Sequence, residues 1–346
     1  CYEKGKIMLQ EKELTQAVDL CLPDGRLNPK AIGWSRQALQ NCRLYGHPLR
    51  KKRWNYWCIT SPTHLFSVTL SDVDYAGLPF VYFLDFATGE FIEKTIITPF
   101  GKDVELGDRV ADDASYVGKG CQISMRGADG GVRMLVEMAD FGGKELQAQF
   151  LINELENHES LNVVVPWSER LFQFTAKNNT LPAEGKVVLN GVEVAFEAKN
   201  SFATLDFGRG VWPYKGFWNW ASFSTRLPDG RTLGTNFGAG WTDKTGSTEN
   251  ALCVDGRLIK LSEDVTFTYS TQDFKAPWRL RTAETGRVDL TFSPFFERIA
   301  KTDMVIIRSE VHQMIGHFDG TIVGEDGEVI EVSQAIGWAE DHHSRW

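Results

Sequence analysis

Short runs in which apolar and polar residues alternate, separated by glycine-rich turns, cover most of the chain. Residues 186–197 alternate on both sides of Asn190 and Gly191, a pair that favours the type I′ turn of a two-residue β-hairpin. The same pattern predicts hairpins at residues 122–136, 218–241, 251–261, 279–292 and 317–332. Helical periodicity is scarce, and the best candidates are residues 28–40 and 295–301. The first of these opens with Asn28 and Pro29, which suit an N-cap and the first helical position.

Roughly ten strand candidates lie on each side of residue 200, with the spacing found in sandwiches and barrels. A single open sheet rarely exceeds about ten strands, because its twist makes it curl or close. We therefore predict an all-β fold with two antiparallel β-barrel or sandwich domains. Residues 1–53 are expected to wrap the first domain irregularly, residues 54–199 to form the first domain, and residues 200–346 to form the second.

Composition narrows the class of protein. Eleven Trp, eight Tyr and 22 Phe make up 12% of the 346 residues, which excludes a disordered chain. The net charge of −9 argues against a nucleic-acid partner, since proteins that bind nucleic acids carry a basic surface.

Apolar stretches are far shorter than the roughly 20 residues of a membrane span, so stable membrane insertion is not expected. With no apparent signal segment, we predict a cytoplasmic protein. Its six cysteines are scattered without metal-ligand spacing and are expected to be reduced thiols.

The densest aromatic segment is residues 206–221, DFGRGVWPYKGFWNWA, with Trp212, Tyr214, Trp218 and Trp220. Strand alternation places Trp218 and Trp220 on one face. One interpretation is a core between sheets. The other is the wall of a cavity for an apolar ligand, since such cavities are lined by aromatic side chains with a few polar groups.

A glycine-rich segment, residues 236–250, carries Trp241, Asp243 and Glu249. It matches no phosphate-binding loop signature, and a bulged strand with a long polar loop is the simpler interpretation. A carboxyl group from Asp243 or Glu249 at a cavity mouth is the functional alternative.

The last ten residues, GWAEDHHSRW, combine acids, histidines and tryptophans, including Trp338. In a strand, Glu340 and His342 share one face, and Asp341 and His343 share the other. The two histidines therefore cannot easily bind one metal ion, and no metal is predicted. A histidine beside a carboxylate suits acid–base chemistry, for which the candidates are Glu340, Asp341, His342, His343 and Arg345. A solvated polar tail is the alternative.

Another short segment, RKKRWNYW (residues 50–57), joins four cations to three aromatic residues. Such a segment occurs in patches that bind nucleic acids or anionic headgroups. On an acidic protein, a solvated loop that leads into a strand is the favoured interpretation.

Four blocks together resemble an uncharacterised bacterial family, domain of unknown function 2804. They are DGRLNPKAIGWSR (24–36), RKKRWNYW (50–57), GWTDKTGSTENAL (240–252) and GWAEDHHSRW (337–346). More distantly, the chain resembles the carotenoid hydratase, tocopherol cyclase and AttH-like group in architecture and aromatic richness. That resemblance implies two lipocalin-like barrels and, in several members, protonation of a carbon–carbon double bond in an apolar substrate without a redox cofactor.

The leading hypothesis is therefore a cofactor-independent enzyme, a lyase or isomerase of hydratase or cyclase type, acting on a lipophilic small molecule. Asp341 with His342 or His343 would be the acid–base unit, and Arg345 would set the local charge. Trp212, Tyr214, Trp218 and Trp220 would line the cavity, with Trp241 and Trp338 near it and Asp243 and Glu249 as reserve acids. The alternatives are a non-catalytic carrier of a lipophile and a metal-dependent hydrolase. The sequence leaves the oligomeric state open.

Overall fold

The structure, a computed structural model, describes residues 10–303 and 308–345, so Cys1 and Trp346 lie outside the described residues. The described part of the chain is built almost entirely of antiparallel strands. One 3-10 helix spans Pro29–Ala31. The strands up to the middle of the chain are β1 (Val18–Asp19), β2 (Trp34–Ser35), β3 (Gln40–Asn41), β4 (Lys51–Thr60), β5 (His64–Asp72), β6 (Ala76–Gly77), β7 (Phe80–Asp85), β8 (Phe91–Thr95), β9 (Thr98–Pro99), β10 (Val104–Leu106), β11 (Ala114–Gly118), β12 (Cys121–Ala128), β13 (Gly131–Phe141), β14 (Lys144–Asn153), β15 (Leu161–Pro166), β16 (Phe172–Leu189), β17 (Val192–Phe196) and β18 (Phe202–Val211). The remaining strands are β19 (Lys215–Arg226), β20 (Thr232–Ala239), β21 (Ala251–Val254), β22 (Arg257–Lys260), β23 (Val265–Thr268), β24 (Trp278–Thr282), β25 (Val288–Asp303), β26 (Arg308–Val323) and β27 (Val329–Arg345).

The first large sheet is organised around the long strand β16. Its first half pairs with β15 and β18, and its second half pairs with β14 and β17. A register shift between Asn178 and Leu181, where Thr180 has a φ of 59°, separates the two halves. Such a bulge bends a strand, so one strand contributes to two parts of the sheet that face different ways.

The second large sheet has nine strands in the order β22-β21-β20-β19-β27-β26-β25-β24-β23. The last strand of the chain, β27, is therefore central, with β19 on one side and β26 on the other. Every pairing in this sheet is antiparallel.

The two sheets pack face to face through an apolar cluster. From the first sheet it contains Tyr56, Cys58, Leu65, Tyr82 and Leu84; from the second it contains Trp220, Ile315 and Trp338. Separate cores lie behind each sheet. The contact between the sheets therefore contains an apolar cluster, and this cluster includes residues of the aromatic segment and of the C-terminal segment.

The all-β prediction is confirmed, and each of the six predicted hairpins is present. Asn190 and Gly191 have φ angles of 48° and 83°, as a type I′ turn requires. Of the helix predicted at residues 28–40, only the single turn at Pro29–Ala31 forms, capped by the Asn28 side chain. The helix predicted at residues 295–301 is wrong, because that segment pairs with β26 as part of β25.

The change from one sheet to the other falls between Val211 and Lys215, because β18 pairs with β4 and β16 of the first sheet. The predicted division near residue 200 therefore precedes the change of sheet by one strand. The N-terminal segment contacts both halves of the molecule. β2 pairs with β15, whereas the buried Glu11 carboxylate accepts hydrogen bonds from Thr248 and Lys260.

A pair of glycines allows β27 to lie close to its neighbours. Gly337 faces Gly316 on β26, and a Cβ on Gly337 would lie 2.3 Å from the carbonyl oxygen of Ser222. We expect Gly337→Ala to lower the free energy of unfolding by about 1–3 kcal/mol through overpacking. Gly127→Ala is the control, because a Cβ there meets open space within β12. Urea denaturation measures both, and equal midpoints for the two variants would contradict this account of the packing.

Candidate functional site

A cavity of about 280 Å³ lies between the two sheets. Strands of the first sheet supply one wall with Trp54, Tyr56, Thr69, Ser71, Phe80, Glu93, Thr95, Thr175, Lys177 and Asp206. Strands of the second sheet supply the opposite wall with Trp218, Trp220, Arg298, Ala300, Thr302, Ser309, Val311, Gln313, Glu340 and His342. The connecting segments add Val73, Leu78, Trp212, Trp241 and Glu249. The lining thus combines seven Trp, Tyr and Phe side chains with seven Asp, Glu, Lys, Arg and His side chains. Aromatic side chains together with polar groups that orient the ligand are typical of ligand cavities.

Polar partners fix the tryptophans of the wall in place. Trp54 donates its indole N–H to Asp206 at 3.1 Å, and Trp218 donates to Glu340 at 2.9 Å. Trp220 donates to Asn236 at 2.7 Å, and Trp241 donates to Glu249. A buried indole N–H needs such a partner, so the aromatic wall and the charged groups of the cavity form one network.

Lys177 lies at the centre of a buried charge cluster. Its Nζ is 2.9 Å from Asp206 Oδ1, 3.3 Å from Glu249 Oε2 and 4.4 Å from the centre of the Trp220 ring. Although burial opposes it, the two carboxylates raise the pKa of Lys177 above its usual value. Burial raises the pKa of Glu249, and Lys177 opposes this shift. The ammonium group therefore stays charged between two buried carboxyl groups.

Glu340 and His342 project from β27 into the cavity. Besides the Trp218 bond, Glu340 accepts a long hydrogen bond of 3.3 Å from the Gln313 amide. Burial raises the pKa of Glu340 to about 7, against the opposing effects of Trp218 and Lys177. His342 packs its ring against Trp218, with ring centres 3.8 Å apart, and its Nε2 lies 2.8 Å from Ser309 Oγ.

The two groups differ in protonation near neutral pH. Burial lowers the pKa of His342 to about 3, with the charges of His343 and Arg298 acting in the same direction. His342 is therefore a neutral imidazole, whereas about half of Glu340 carries a proton at pH 7. The acid and the neutral base lie two residues apart on one face of β27, which places their Cα atoms about 7 Å apart.

A second buried cation lies further along the wall. Arg298 forms a bidentate pair with Glu93, at 3.1 Å from Nε and 2.5 Å from the terminal nitrogen. Its guanidinium group is 4.6 Å from the Tyr82 ring centre. Tyr82 donates to Gln313 at 2.8 Å, which links Arg298 to the Glu340 network. The Arg298–Glu93 ion pair therefore joins the two sheets across the cavity.

Five of the predicted cavity residues, Trp212, Trp218, Trp220, Trp241 and Glu249, line this cavity together with Glu340 and His342. Asp341 and His343 lie on the opposite face of β27, because side chains alternate along a strand. There Asp341 accepts a hydrogen bond from Tyr269, and His343 lies 3.1 Å from Asp341. Arg345 also lies on that face, at the exposed end of the strand.

Three other predicted residues lie off the cavity. Tyr214, in the turn before β19, is 47% exposed. Asp243 is exposed and accepts a hydrogen bond from the Gly240 amide in its own turn. Trp338 is buried in the contact between the sheets behind Trp220, with ring centres 5.3 Å apart. Packing against the other sheet, rather than strand position alone, decides which aromatic side chains reach the cavity.

Sequence reasoning missed Lys177, Arg298, Glu93 and Gln313. Each lies in a strand that carries several other polar residues, so the sequence does not single it out, and the four come from four different strands. Lys177 shows why: its neighbours Thr175 and Asn179 on the same face of β16 are polar and buried as well, so alternation of apolar and polar residues gives no signal there.

The basic segment at residues 50–57 forms the start of β4 rather than a loop. Arg53 pairs with Asp72, Lys51 lies 3.5 Å from Asp74, and Arg50 donates to the Trp212 carbonyl at 2.7 Å. These cations hold neighbouring strands and turns together. Within residues 10–303 and 308–345, no three His, Cys, Asp or Glu side chains are arranged to hold a metal ion. No helix in the same part of the chain is long and apolar enough to cross a membrane.

Together these features define an all-β protein of two packed antiparallel sheets that enclose an aromatic cavity with buried acid, base and ion-pair groups. The chain belongs to the family described as domain of unknown function DUF2804, whose model matches residues 11–346. The family resemblance predicted from the four sequence blocks is thereby confirmed.

Solved structures that are similar to this chain include two from different organisms. One is a protein provisionally described as AttH from Nitrosomonas europaea, with 15% identity, a TM-score of 0.49, and coverage of 84% of this chain and 92% of that chain. The other is kievitone hydratase from Nectria haematococca, with 10% identity, a TM-score of 0.43, and coverage of 86% and 89%. Likenesses this loose say nothing about the reaction of this chain. No curated protein sequence matches it.

Removing the charge of Lys177 is expected to lower the stability of the fold strongly. Lys177→Met leaves Asp206 and Glu249 buried without their cation, and we expect a loss of about 3–5 kcal/mol in the free energy of unfolding. The control is Lys186→Met, which removes the exposed ion pair with Glu193 and should cost about 0–1 kcal/mol. Chemical denaturation near pH 7 measures both. Similar losses for the two variants would contradict the buried pairing of Lys177.

The raised pKa of Glu340 makes the stability of the fold depend on pH. The folded protein holds this proton up to about pH 7, whereas the unfolded chain releases it near pH 4.5, so ionising Glu340 destabilises the fold as pH rises between these values. Relative to wild type, Glu340→Gln should therefore gain up to about 3 kcal/mol of stability from pH 4.5 to pH 8.

Urea denaturation at several pH values measures this gain. The opposing contribution of His342 is present in both proteins and does not affect the difference. Glu331→Gln, an exposed carboxyl on the same strand, should follow wild type at every pH. A Glu340→Gln curve parallel to wild type would show that the carboxyl is not buried as described.

Proposed function

We propose that this protein is an enzyme that protonates a carbon–carbon double bond of a small lipophilic molecule bound in the aromatic cavity, with Glu340 as the acid. The observation that carries the proposal is the position of Glu340, a fully enclosed carboxyl with a pKa of about 7 in an aromatic wall. Strongly perturbed acids in a cleft are typical of active sites. The reaction type is that of a hydratase, isomerase or cyclase.

The cavity supports such a reaction in three ways. Glu340 can keep its proton near neutral pH, because burial disfavours its charged form. The 3.3 Å contact from Gln313 to Oε2 is the looser of its two hydrogen bonds, so we assign the reactive proton to Oε2. The tryptophan rings of the wall can stabilise a developing carbocation by about 0.5–2 kcal/mol each.

His342 completes the proposal as the base. Burial disfavours its imidazolium form, so it accepts a proton once Glu340 has become a carboxylate, whose negative charge favours the cation; its Nε2 lies 2.8 Å from Ser309 Oγ. In a hydratase it would take the proton of the water that adds to the cation. In an isomerase or cyclase it would remove a proton from a neighbouring carbon. The Glu340 proton stays on the product carbon, and the proton taken by His342 returns to Glu340 by way of solvent, so protons balance over one cycle and no redox cofactor is needed.

The volume of the cavity restricts the substrate. At about 280 Å³ it falls at the lower end of the range for small-molecule sites, about 300–1,000 Å³. The substrate, or the part of it that reacts, is therefore expected to be small. The main alternative is a carrier that binds a lipophile without chemistry, which would use the same tryptophans but has no need for Glu340 or His342.

Deuterium incorporation separates these functions. Lipophiles are extracted from the purified protein with organic solvent, incubated with fresh protein in D₂O, and analysed by mass spectrometry. A hydratase adds one molecule of D₂O to the lipophile, and an isomerase or cyclase leaves one deuterium in place of hydrogen. A carrier returns the lipophile unchanged, which would contradict the proposal.

Two variants identify the acid. Glu340→Gln keeps the shape and the Trp218 hydrogen bond but removes the transferable proton, so we expect turnover to fall by about 10²–10⁴-fold. Asp341→Asn alters the carboxyl on the opposite face of β27 and should retain most of the activity if folded, which circular dichroism checks. Loss of activity in Asp341→Asn with an active Glu340→Gln would assign the acid to Asp341 instead.

A further inference from the structure

A second depression, of about 530 Å³, opens on the other face of the second sheet at the outer end of its three central strands. Its lining includes Lys215 and Phe217 of β19, Arg308 and Glu310 of β26, and His343 and Arg345 of β27. Because Glu340 and His342 point to the opposite face of β27, this depression is separate from the aromatic cavity. None of the chemistry proposed for Glu340 uses it.

Three cations form a row across this depression. Arg345 is in register with Lys215 on one side and with Arg308 on the other. Like charges directly opposite each other on neighbouring strands destabilise a sheet. With strands about 4.8 Å apart, the row spans about 10 Å. A protein with a net charge of −9 therefore concentrates three positive charges at one sheet end, at a cost in stability.

The described residues around the row do little to neutralise it. Arg308 has one exposed partner, Asp303, at 3.8 Å, and no ion pair is found for Lys215 or Arg345 within residues 10–303 and 308–345. Glu310, the acid of the depression, is already engaged by Lys301 at 2.6 Å and by His312 at 3.1 Å. Residues 304–307, between Asp303 and Arg308, are Met-Val-Ile-Ile and carry no charge.

The base of the depression is held by packing. The rings of Phe217 and His343 lie 4.7 Å apart, and His343 Nε2 lies 3.1 Å from Asp341 Oδ1. The cations thus stand beside a fixed aromatic pair rather than on a mobile loop. Three cations face one engaged carboxylate, so the lining carries about two net positive charges.

We propose that this depression binds a phosphate group, either free or as part of a larger molecule. A phosphate monoester carries about two negative charges and three acceptor oxygens at neutral pH, which matches the net charge of the lining. Arginine guanidinium groups bind phosphate with two parallel hydrogen bonds. Binding removes the repulsion within the row of cations, so the ligand stabilises the sheet end that the row weakens.

The test uses a charge-matched pair of variants of the full chain. Arg308→Gln with Arg345→Gln removes two members of the row. Arg126→Gln with Arg133→Gln is the control, because these exposed arginines also face each other in register, on β12 and β13, without a third cation. Both double variants change the net charge equally, so a nonspecific effect of charge would appear in both.

Two probes distinguish the sources of the phosphate. Calorimetric titration with inorganic pyrophosphate at low salt tests a soluble ligand, and sedimentation with phosphatidylcholine vesicles, with and without phosphatidic acid, tests a lipid headgroup. We expect at least one probe to bind wild type and the Arg126/Arg133 variant equally well. The Arg308/Arg345 variant should bind it about tenfold or more weakly, since hydrogen bonds to charged groups are lost.

Each outcome bears on the proposal. Pyrophosphate binding that depends on the row supports a soluble phosphate ligand, and vesicle binding that depends on phosphatidic acid and on the row supports a lipid headgroup. Absence of binding to both probes overturns the proposal, as does equal weakening in the two double variants. Since Glu340 is unchanged throughout, neither result alters the evidence on the aromatic cavity.

Discussion

The register of β27 between β19 and β26 is the constraint on which the rest of the site depends. This register places Glu340 beside Gln313 and Trp220, and His342 beside Val311 and Trp218, all facing the first sheet. A shift by one residue would exchange this face for the one that carries Asp341 and His343. The close approach at Gly316 and Gly337 and the burial of Trp338 between the sheets hold that register.

Because the cavity is buried between the two sheets, its ionisable side chains behave unlike their counterparts in water. Burial shifts Glu340 and His342 in opposite directions on the pKa scale, since each favours its neutral form. Lys177 and Arg298 stay charged because each has a carboxylate partner in contact with it. The wall therefore combines fixed charges, which set the electrostatic potential, with one acid and one base that can exchange protons.

The sequence predicted the fold better than the site. Alternation and turn residues predicted all six hairpins, because both signals are local. Alternation also correctly placed Glu340 and His342 on one face of their strand, and Trp218 and Trp220 on one face of theirs. It could not say which face of β27 meets the other sheet, so Asp341 was preferred as the acid. Lys177 and Arg298 were missed because their partners, Asp206 and Glu93, come from distant parts of the chain.

The central claim is that Glu340 holds its proton near neutral pH inside the aromatic cavity. Carbon-13 NMR of protein labelled at the glutamate side-chain carboxyl measures this directly, with the Glu340→Gln spectrum assigning the resonance. The account predicts one carboxyl that titrates near pH 7, well above the usual range near 4.3. A Glu340 resonance that titrates within the usual range would contradict it.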